Sequence, residues 1–141
     1  KIMEFPRDNK DLDQLFLKAG KAHSRDIHGE YYVDMLTVIP SLRRFDHRKT
    51  FIHNKDRVTG YNILFSKTKW GYFFLERGKC KKFKDLDVLV INYDQKKNRF
   101  FLKQIRDQIR CIKKGRLYLG RFHYLLSGKL IFLGYFSMIK K

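Results

Sequence analysis

The sequence has few of the residues that build disulfide frameworks, linkers or acidic surfaces. Its 141 residues include two cysteines, two prolines and only 14 acidic side chains against 32 lysines and arginines. Cys80 and Cys111 are too few and too far apart for a disulfide framework or a zinc knuckle, so we expect two reduced thiols. The longest nearly uncharged run, residues 117–139, contains three basic side chains, which excludes a uniformly apolar membrane span of ~20 residues.

Catalytic motifs are also missing. The sequence has no phosphate-binding loop, dinucleotide fingerprint, nucleophile elbow or HExxH metal motif. His47, His53 and His123 are candidates for acid–base work, but none has a partner at zinc spacing. Cys111 beside one of them would make a thiolate pair, although a small core residue is the simpler interpretation. Nothing in the sequence calls for catalysis, so we favour a non-catalytic protein and keep an enzyme as the alternative; we predict no catalytic residues, cofactor or metal.

The residues that are present predict one folded domain. Apolar residues make up 43% of the chain and aromatic residues 16%, which is enough for a core. Charge is interleaved with aromatic and aliphatic residues, and residues 1–7 do not resemble a secretion signal. We expect a soluble intracellular protein, cytoplasmic or organellar.

Hydrophobic periodicity divides the chain into a helical extension over residues 1–28 and a β domain over residues 29–141. Apolar residues at helical spacing in the stretch 11–22 predict a short amphipathic helix, capped by Asp8 or Asn9 and ended by Gly20. Reversals are expected at residues 54–57 and 77–79. Strands rich in β-branched and aromatic residues, with no helix between them, indicate an antiparallel meander; they are predicted at residues 31–38, 47–53, 60–65, 70–76 and 86–94.

The last third of the chain contains an ambiguous segment and a long hairpin. Residues 99–112 fit both helical and strand periods, and we favour a helical turn to about Lys103 followed by a strand. Two aromatic-rich strands joined at Ser127 and Gly128 follow. Gly120 and Gly134 lie inside these strands, as bending or close backbone approach requires. The expected fold is mainly β: an antiparallel meander that closes into a barrel.

The order of several short motifs resembles a family of small lipocalin-like β-barrel proteins, from about Gly29 onward. The motifs are Gly29-x-Tyr-x-Val-x-Met-Leu, Lys49-x-Phe, Gly60-Tyr-Asn, Trp70-Gly-x-Phe, Val88-Leu-x-Ile-Asn-Tyr-Asp94, Ile105-Arg-Asp-Gln-Ile-Arg110, Gly115-x-Leu-Tyr-Leu-Gly120 and Phe132-Leu-Gly-Tyr-Phe136. The resemblance implies a cup of roughly eight strands that holds one small apolar ligand. It implies no catalytic residues, and Trp70 resembles the barrel-closing tryptophan of such folds.

The densest polar group on a predicted strand is centred on Arg106 and Arg110. These side chains share one strand face, with Asp107 on the other, so both guanidinium groups can clamp a carboxylate or phosphate. The alternative places them outside, in cross-strand pairs. The predicted ligand-binding residues also include several at the rim and wall of the cup: Trp70, Asn92, Tyr93 and Tyr118. Asn92 has the alternative role of capping the following turn.

A net charge of +18 predicts attraction to polyanions, although lysine-rich composition alone is an alternative cause. Lysines crowd the predicted turns and form a candidate anion surface, and Tyr72, Phe73 and Phe74 nearby are candidate stacking platforms. We therefore expect a non-catalytic barrel that binds a small amphipathic, acyl-type anion. The alternative is a basic accessory subunit on RNA, a membrane surface or a large anionic assembly. The surface lysines are Lys67, Lys69, Lys81, Lys82, Lys96 and Lys97.

Overall fold

The computed structural model describes residues 4–37, 46–65 and 67–141, which form one helix, α1, and eight strands. Each strand pairs with its neighbours in sequence, all pairs are antiparallel, and β1 pairs with β8 to close the barrel. The predicted fold class, a mainly β meander closing into a barrel with a short N-terminal helix, is confirmed. The elements are α1 (Asn9–Lys18), β1 (Gly29–Met35), β2 (His47–His53), β3 (Val58–Leu64), β4 (Thr68–Cys80), β5 (Leu86–Asn92), β6 (Ile105–Lys113), β7 (Leu117–Leu126) and β8 (Lys129–Lys140).

The N-terminal helix packs on the outer wall of the barrel. It begins where Asp8 Oδ1 accepts the backbone N–H of Asp11 at 3.1 Å, the usual role of an N-cap carboxylate. Leu12 and Phe16, one turn apart, are fully buried on the side that faces the wall. The helix ends before Gly20, whose backbone exchanges two hydrogen bonds with Cys111 on β6. These contacts fix the helix against the barrel.

Two strand predictions need correction. Residues 77–79 are not a reversal, because β4 continues to Cys80 and the chain turns in the 3₁₀ segment Lys81–Phe83. A Cβ at Gly78 would overlap the Val90 side chain on β5, so the glycine there permits close packing inside a strand. The first strand is shorter than predicted, and the expected residue 38 lies outside the described part of the chain.

The final hairpin and the strand after Lys103 agree with the prediction. A 3₁₀ turn, Leu102–Gln104, leads directly into β6. Ser127 and Gly128 both have positive φ, as in the two-residue turns that match strand twist. A Cβ at Gly120 would overlap the Phe136 ring, which confirms close approach at that glycine.

The barrel wall has a core on each side. The inner core is mostly aromatic and aliphatic, and it is closed at one end by Ile27, Tyr31 and Tyr118, here called the Tyr118 end. The other end is where β2 begins and β1 finishes, here called the His47 end. An outer core lies under α1, where Leu119 and Tyr135 pack on Leu12 and Phe16. Both faces of β7 are therefore partly apolar, because each covers a different core.

Candidate functional site

A cluster of polar side chains lies inside the barrel, towards the His47 end. Lys49 on β2 pairs across to Asn62 on β3, so both point to the same side of the wall. Asp107 on β6 pairs with Ile91, a fully buried residue of the inner core. Tyr93 directly follows β5. We call Lys49, Asn62, Tyr93 and Asp107 the interior polar cluster.

Lys49 is the centre of the cluster and is only 3% exposed. Its ammonium donates to Asn62 Oδ1 at 2.7 Å and to Tyr93 Oη at 2.6 Å. The ammonium nitrogen also lies within 6 Å of the centroids of three rings, at 5.8, 5.3 and 5.6 Å, a cation–π arrangement. The rings belong to Phe73, Tyr93 and Phe136.

Asp107, the counter-charge of Lys49, is incompletely paired. Its Oδ2 lies 3.8 Å from Lys49 Nζ, beyond hydrogen-bond distance, and 3.5 Å from Tyr93 Oη. Its Oδ1 has no hydrogen-bond partner among the described residues, and the side chain is only 2% exposed to solvent. Such a buried, unpartnered oxygen is costly in a core. It marks the cluster as a polar site rather than a fully satisfied network.

Burial shifts the pKa values of both charged members. Desolvation lowers the pKa of Lys49, and the attraction of Asp107 only partly offsets it. Desolvation raises the pKa of Asp107, opposed by Lys49 and by the hydrogen bond from Tyr93. The pKa of the Tyr93 hydroxyl rises well above its usual value, mainly through burial. Burial therefore shifts both Lys49 and Asp107 towards their neutral forms.

His47 and Trp70 lie above the cluster at the His47 end. The His47 Nε2 lies 2.8 Å from Asn62 Oδ1, an atom that only accepts, so Nε2 carries the proton. Burial, and then the nearby Lys49 charge, lower the pKa of His47 to about 4. The Trp70 ring is tilted over His47 at a centroid distance of 5.9 Å, and its Nε1 has no partner among the described residues.

The predicted ligand residues divide between the two faces of the wall. Tyr93 belongs to the interior polar cluster and Trp70 lies beside it, whereas Tyr118 lies inside the barrel at the opposite end. Asn92 points outward: its Nδ2 donates to Glu76 at 2.7 Å. Its Oδ1 accepts the Asp94 N–H at 2.9 Å. It therefore has the capping role considered as the alternative.

Arg106 and Arg110 share a strand face opposite Asp107, as predicted, but that face is the outer one. Arg110 donates to the carbonyls of Phe16, Ala19 and Asp87 at 3.3, 2.5 and 3.0 Å. Arg106 donates to the carbonyls of Lys103 and Ile105. The two arginines therefore do not form a clamp inside the cup. Arg110 is explained by the helix, whose last carbonyls attract a cation.

Lys49 and Asp107 were not predicted as a pair. Each stands at an inward position between buried neighbours: Lys49 between His47 and Phe51, and Asp107 between Ile105 and Ile109. A charged residue at an apolar position of an alternating strand was the available signal. Their pairing was not visible, because three strands separate β2 from β6 on either side and the two meet only through the barrel interior.

The predicted surface lysines fall into two groups on the outer wall. Lys69, Lys96 and Lys97 line a groove of about 670 Å³ that also contains Tyr61 and Tyr72. A second groove of about 620 Å³ is lined by Lys81 and Lys82, together with the tip of the β7–β8 hairpin. Lys67 is exposed in the turn before β4.

The other predicted chemical residues are dispersed. His53 contacts the Ile27 carbonyl at 2.7 Å, and its ring stacks on His28. Desolvation raises the pKa of the Cys80 and Cys111 thiols, which disfavours a thiolate. Over residues 4–37, 46–65 and 67–141, no group of three or more metal-ligating side chains is found. Within the same ranges, no helix has the length and apolar character to cross a membrane.

Comparison with known proteins supports the fold. No protein-family model matches the chain, and no curated protein matches it. Among solved structures it is similar to one described as a protein from Thermomonospora curvata, with a TM-score of 0.65 and 17% sequence identity; the match covers 95% of this chain and 88% of the other. At this identity the likeness establishes a shared fold: an eight-stranded antiparallel barrel.

Proposed function

We propose that the protein is a non-catalytic, lipocalin-like barrel that binds a small amphipathic anion. The acidic head of the ligand contacts Lys49, and its apolar part lies at the His47 end of the barrel. The observation that carries this proposal is the incompletely paired Lys49–Asp107 couple, the charged part of a polar cluster inside a mostly apolar core. Ligand pockets commonly combine apolar walls with a few such converging polar groups.

The surroundings of Lys49 suit an amphipathic molecule better than a purely polar one. Four apolar side chains of the His47 end pack against the inner core and remain partly exposed: Met35, Leu102, Phe122 and Tyr124. Trp70 adds an indole N–H without a described partner. An acyl or aromatic group against these side chains removes apolar surface from water.

Asp107 couples the binding of an anionic ligand to proton uptake. Its carboxylate competes with an anionic ligand for the Lys49 ammonium. Because desolvation raises the pKa of Asp107, the protonated state is accessible at a lower cost than for an exposed aspartate. Binding of an anion then favours proton uptake by Asp107, and the site keeps one negative charge opposite Lys49.

A fluorescence titration with the amphipathic anion anilinonaphthalene sulfonate tests the proposal. The Lys49→Met variant should bind the probe about tenfold more weakly, since a charged hydrogen-bond donor is lost. The Asp107→Asn variant should bind it more tightly, because the competing carboxylate is removed. Opposite changes are the decisive pattern; equal affinities for all three proteins would reject Lys49 as the ligand contact.

One observation favours the alternative of a basic accessory subunit on RNA. Tyr61 and Tyr72 are neighbours in one groove, with ring centroids 6.2 Å apart. The Lys69 and Lys97 ammonium groups lie 4.8 and 5.0 Å from these rings. Partly exposed aromatic rings between lysines are the combination that single-stranded RNA binders use.

Fluorescence anisotropy with a labelled single-stranded oligouridine tests this second candidate. Tyr72→Ala should weaken binding by about 1–3 kcal/mol if a base stacks on the ring. The matched control is Tyr32→Ala, which removes another exposed tyrosine on β1. Equal affinities of both variants and the unmodified protein would exclude stacking at Tyr72.

A further inference from the structure

The outer wall carries a second basic groove that neither the barrel interior nor the Tyr61–Tyr72 surface explains. It lies between the turn after β4 and the tip of the β7–β8 hairpin, and we call it the hairpin groove. Its volume of about 620 Å³ is within the range of small-molecule sites. Five of its lining residues are cations and none is acidic: Lys79, Lys81, Lys82, Arg121 and Lys129.

The lysines of the hairpin groove are unequally paired. Lys79 lies 2.5 Å from Asp87, and Lys82 lies 3.7 Å from Asp13. Within the described residues, no carboxylate lies within ion-pair distance of Lys81 or Lys129. The groove therefore has uncompensated positive charge at its rim, and such clefts concentrate anions.

The floor of the groove contains polar atoms that have no described partner. Gln108, Arg121 and His123 line the groove, and each is at most 5% exposed. Gln108 Oε1, Arg121 Nε and His123 Nδ1 are buried without a hydrogen-bond partner among the described residues. Of these atoms, Arg121 Nε donates and Gln108 Oε1 accepts. Three unpartnered polar atoms on the floor of one groove indicate that a ligand with hydrogen-bonding groups can pair with them.

The remaining wall of the groove is apolar. Leu125, Leu130 and Phe132 come from the two strands of the hairpin, and Leu130 is 42% exposed. The His123 and Phe132 rings lie 5.7 Å apart, beside the buried guanidinium of Arg121. This wall can cover an aromatic or aliphatic group while the lysines contact a charged one.

We propose that the hairpin groove binds a small phosphomonoester that carries an aromatic or aliphatic group. The phosphate is contacted by the rim lysines and faces the donor at Arg121 Nε. A hydroxyl or N–H of the ligand donates to Gln108 Oε1, and the apolar group packs on the hairpin. This site is separate from Lys49, which lies on the other side of the wall.

Calorimetric titration with naphthyl phosphate tests the proposal, with naphthol and inorganic phosphate as partial ligands. Both parts of the probe should be needed, so each partial ligand should bind at least about tenfold more weakly. The triple variant Lys81→Gln/Lys82→Gln/Lys129→Gln should also lose about tenfold in affinity, because it removes three rim contacts. All three side chains are exposed, so the fold should be kept.

The matched control is the triple variant Lys67→Gln/Lys96→Gln/Lys97→Gln. It removes the same charge from another surface and should change the affinity less than about twofold, as a screened distant field predicts. Both triple variants leave Lys49 in place, so a loss confined to the first variant assigns the probe to the hairpin groove rather than to the barrel interior. Equal losses in the two triple variants, no binding, or equal binding of naphthol would each overturn the proposal.

Discussion

Two buried cations lie on opposite sides of the same barrel wall and are paired very differently. Arg121, 1% exposed beneath α1, donates to Asp13 at 3.0 Å and to Tyr135 at 2.6 Å. Its guanidinium also lies 3.9 Å from the centroid of the Phe132 ring. Lys49, inside the barrel, is 3.8 Å from its only nearby carboxylate in the described chain. Arg121 links the helix to the wall through a charged partner, whereas the hydrogen bonds of Lys49 go to the neutral side chains of Asn62 and Tyr93.

The difference separates a cation whose ion pair supports the fold, and which offers only Nε to the hairpin groove, from one whose ion pair leaves the charge available to a ligand. A buried ion pair stabilises a protein only when geometry and hydrogen bonding offset the desolvation of both charges. Arg121 comes closer to that condition, because Asp13, which stays partly exposed, and Tyr135 both accept from it, although its Nε has no partner among the described residues. Lys49 is further from it, since its partner has a lone oxygen and both pKa values shift towards the neutral forms.

The largest effect is expected from removing Arg121. Arg121→Met should lower the free energy of unfolding by about 3–5 kcal/mol, because Asp13 and Tyr135 lose their shared donor under the helix. Urea unfolding measures this change. Arg121→Lys should recover only part of it, as a lysine lacks the planar fork. A loss below about 1 kcal/mol would show that the outer cluster does not hold α1.

The histidine next to each cation provides a second, somewhat smaller test. Burial and then Arg121 lower the pKa of His123 to about 4, as burial and Lys49 do for His47. Unfolded imidazoles bind protons below pH ~6.5 while the folded ones stay neutral, so the unfolded state binds more protons between pH 4 and 6.5. The stability from this effect is complete above pH ~6.5 and is lost as the pH falls through that window towards 4.

Comparison with a variant isolates this effect. The raised pKa of Asp107 acts in the opposite direction at acid pH, so the difference between proteins is the informative quantity. From pH 7 to 4 the unmodified protein should lose about 2–3 kcal/mol more than His123→Gln. Parallel stability curves would mean that His123 is protonated in the folded state.

The smallest change in stability is expected at the interior pair. Replacing both partners, in Lys49→Met/Asp107→Leu, should leave the free energy of unfolding unchanged or raise it by up to about 2 kcal/mol. Arg121→Met/Asp13→Leu should remain destabilised, since Tyr135 keeps an unpartnered hydroxyl. Urea unfolding of the two double variants makes the comparison. A strong destabilisation by the interior replacement would assign Lys49 a structural role.

The sequence predicted the bounds of several strands, but it did not predict which face of a strand packs inside the barrel and which packs outside. The bounds of β2, the start of β6 and the β7–β8 turn followed from alternation and turn residues. The faces of β7 did not, because Tyr118 and Leu119 are both buried, one inside the barrel and one beneath α1. The same ambiguity placed Arg106 and Arg110 inside the cup.

The longer β4 was missed for a related reason. Residues 77–79 combine a glycine with two cations and read as a turn, yet Gly78 is needed for contact with Val90 on the neighbouring strand. Long-range pairs were harder still. Lys49 and Asp107 are far apart in sequence, and only closure of the barrel brings them together.

Native mass spectrometry of the protein purified gently from its source tests the central claim most directly, with Lys49→Met/Asp107→Leu prepared from the same cells. We expect the unmodified protein to carry one small amphipathic anion and the double variant to carry none. The same adduct on both proteins, or no adduct on either, would contradict the assignment of Lys49 as the counter-ion of a bound ligand.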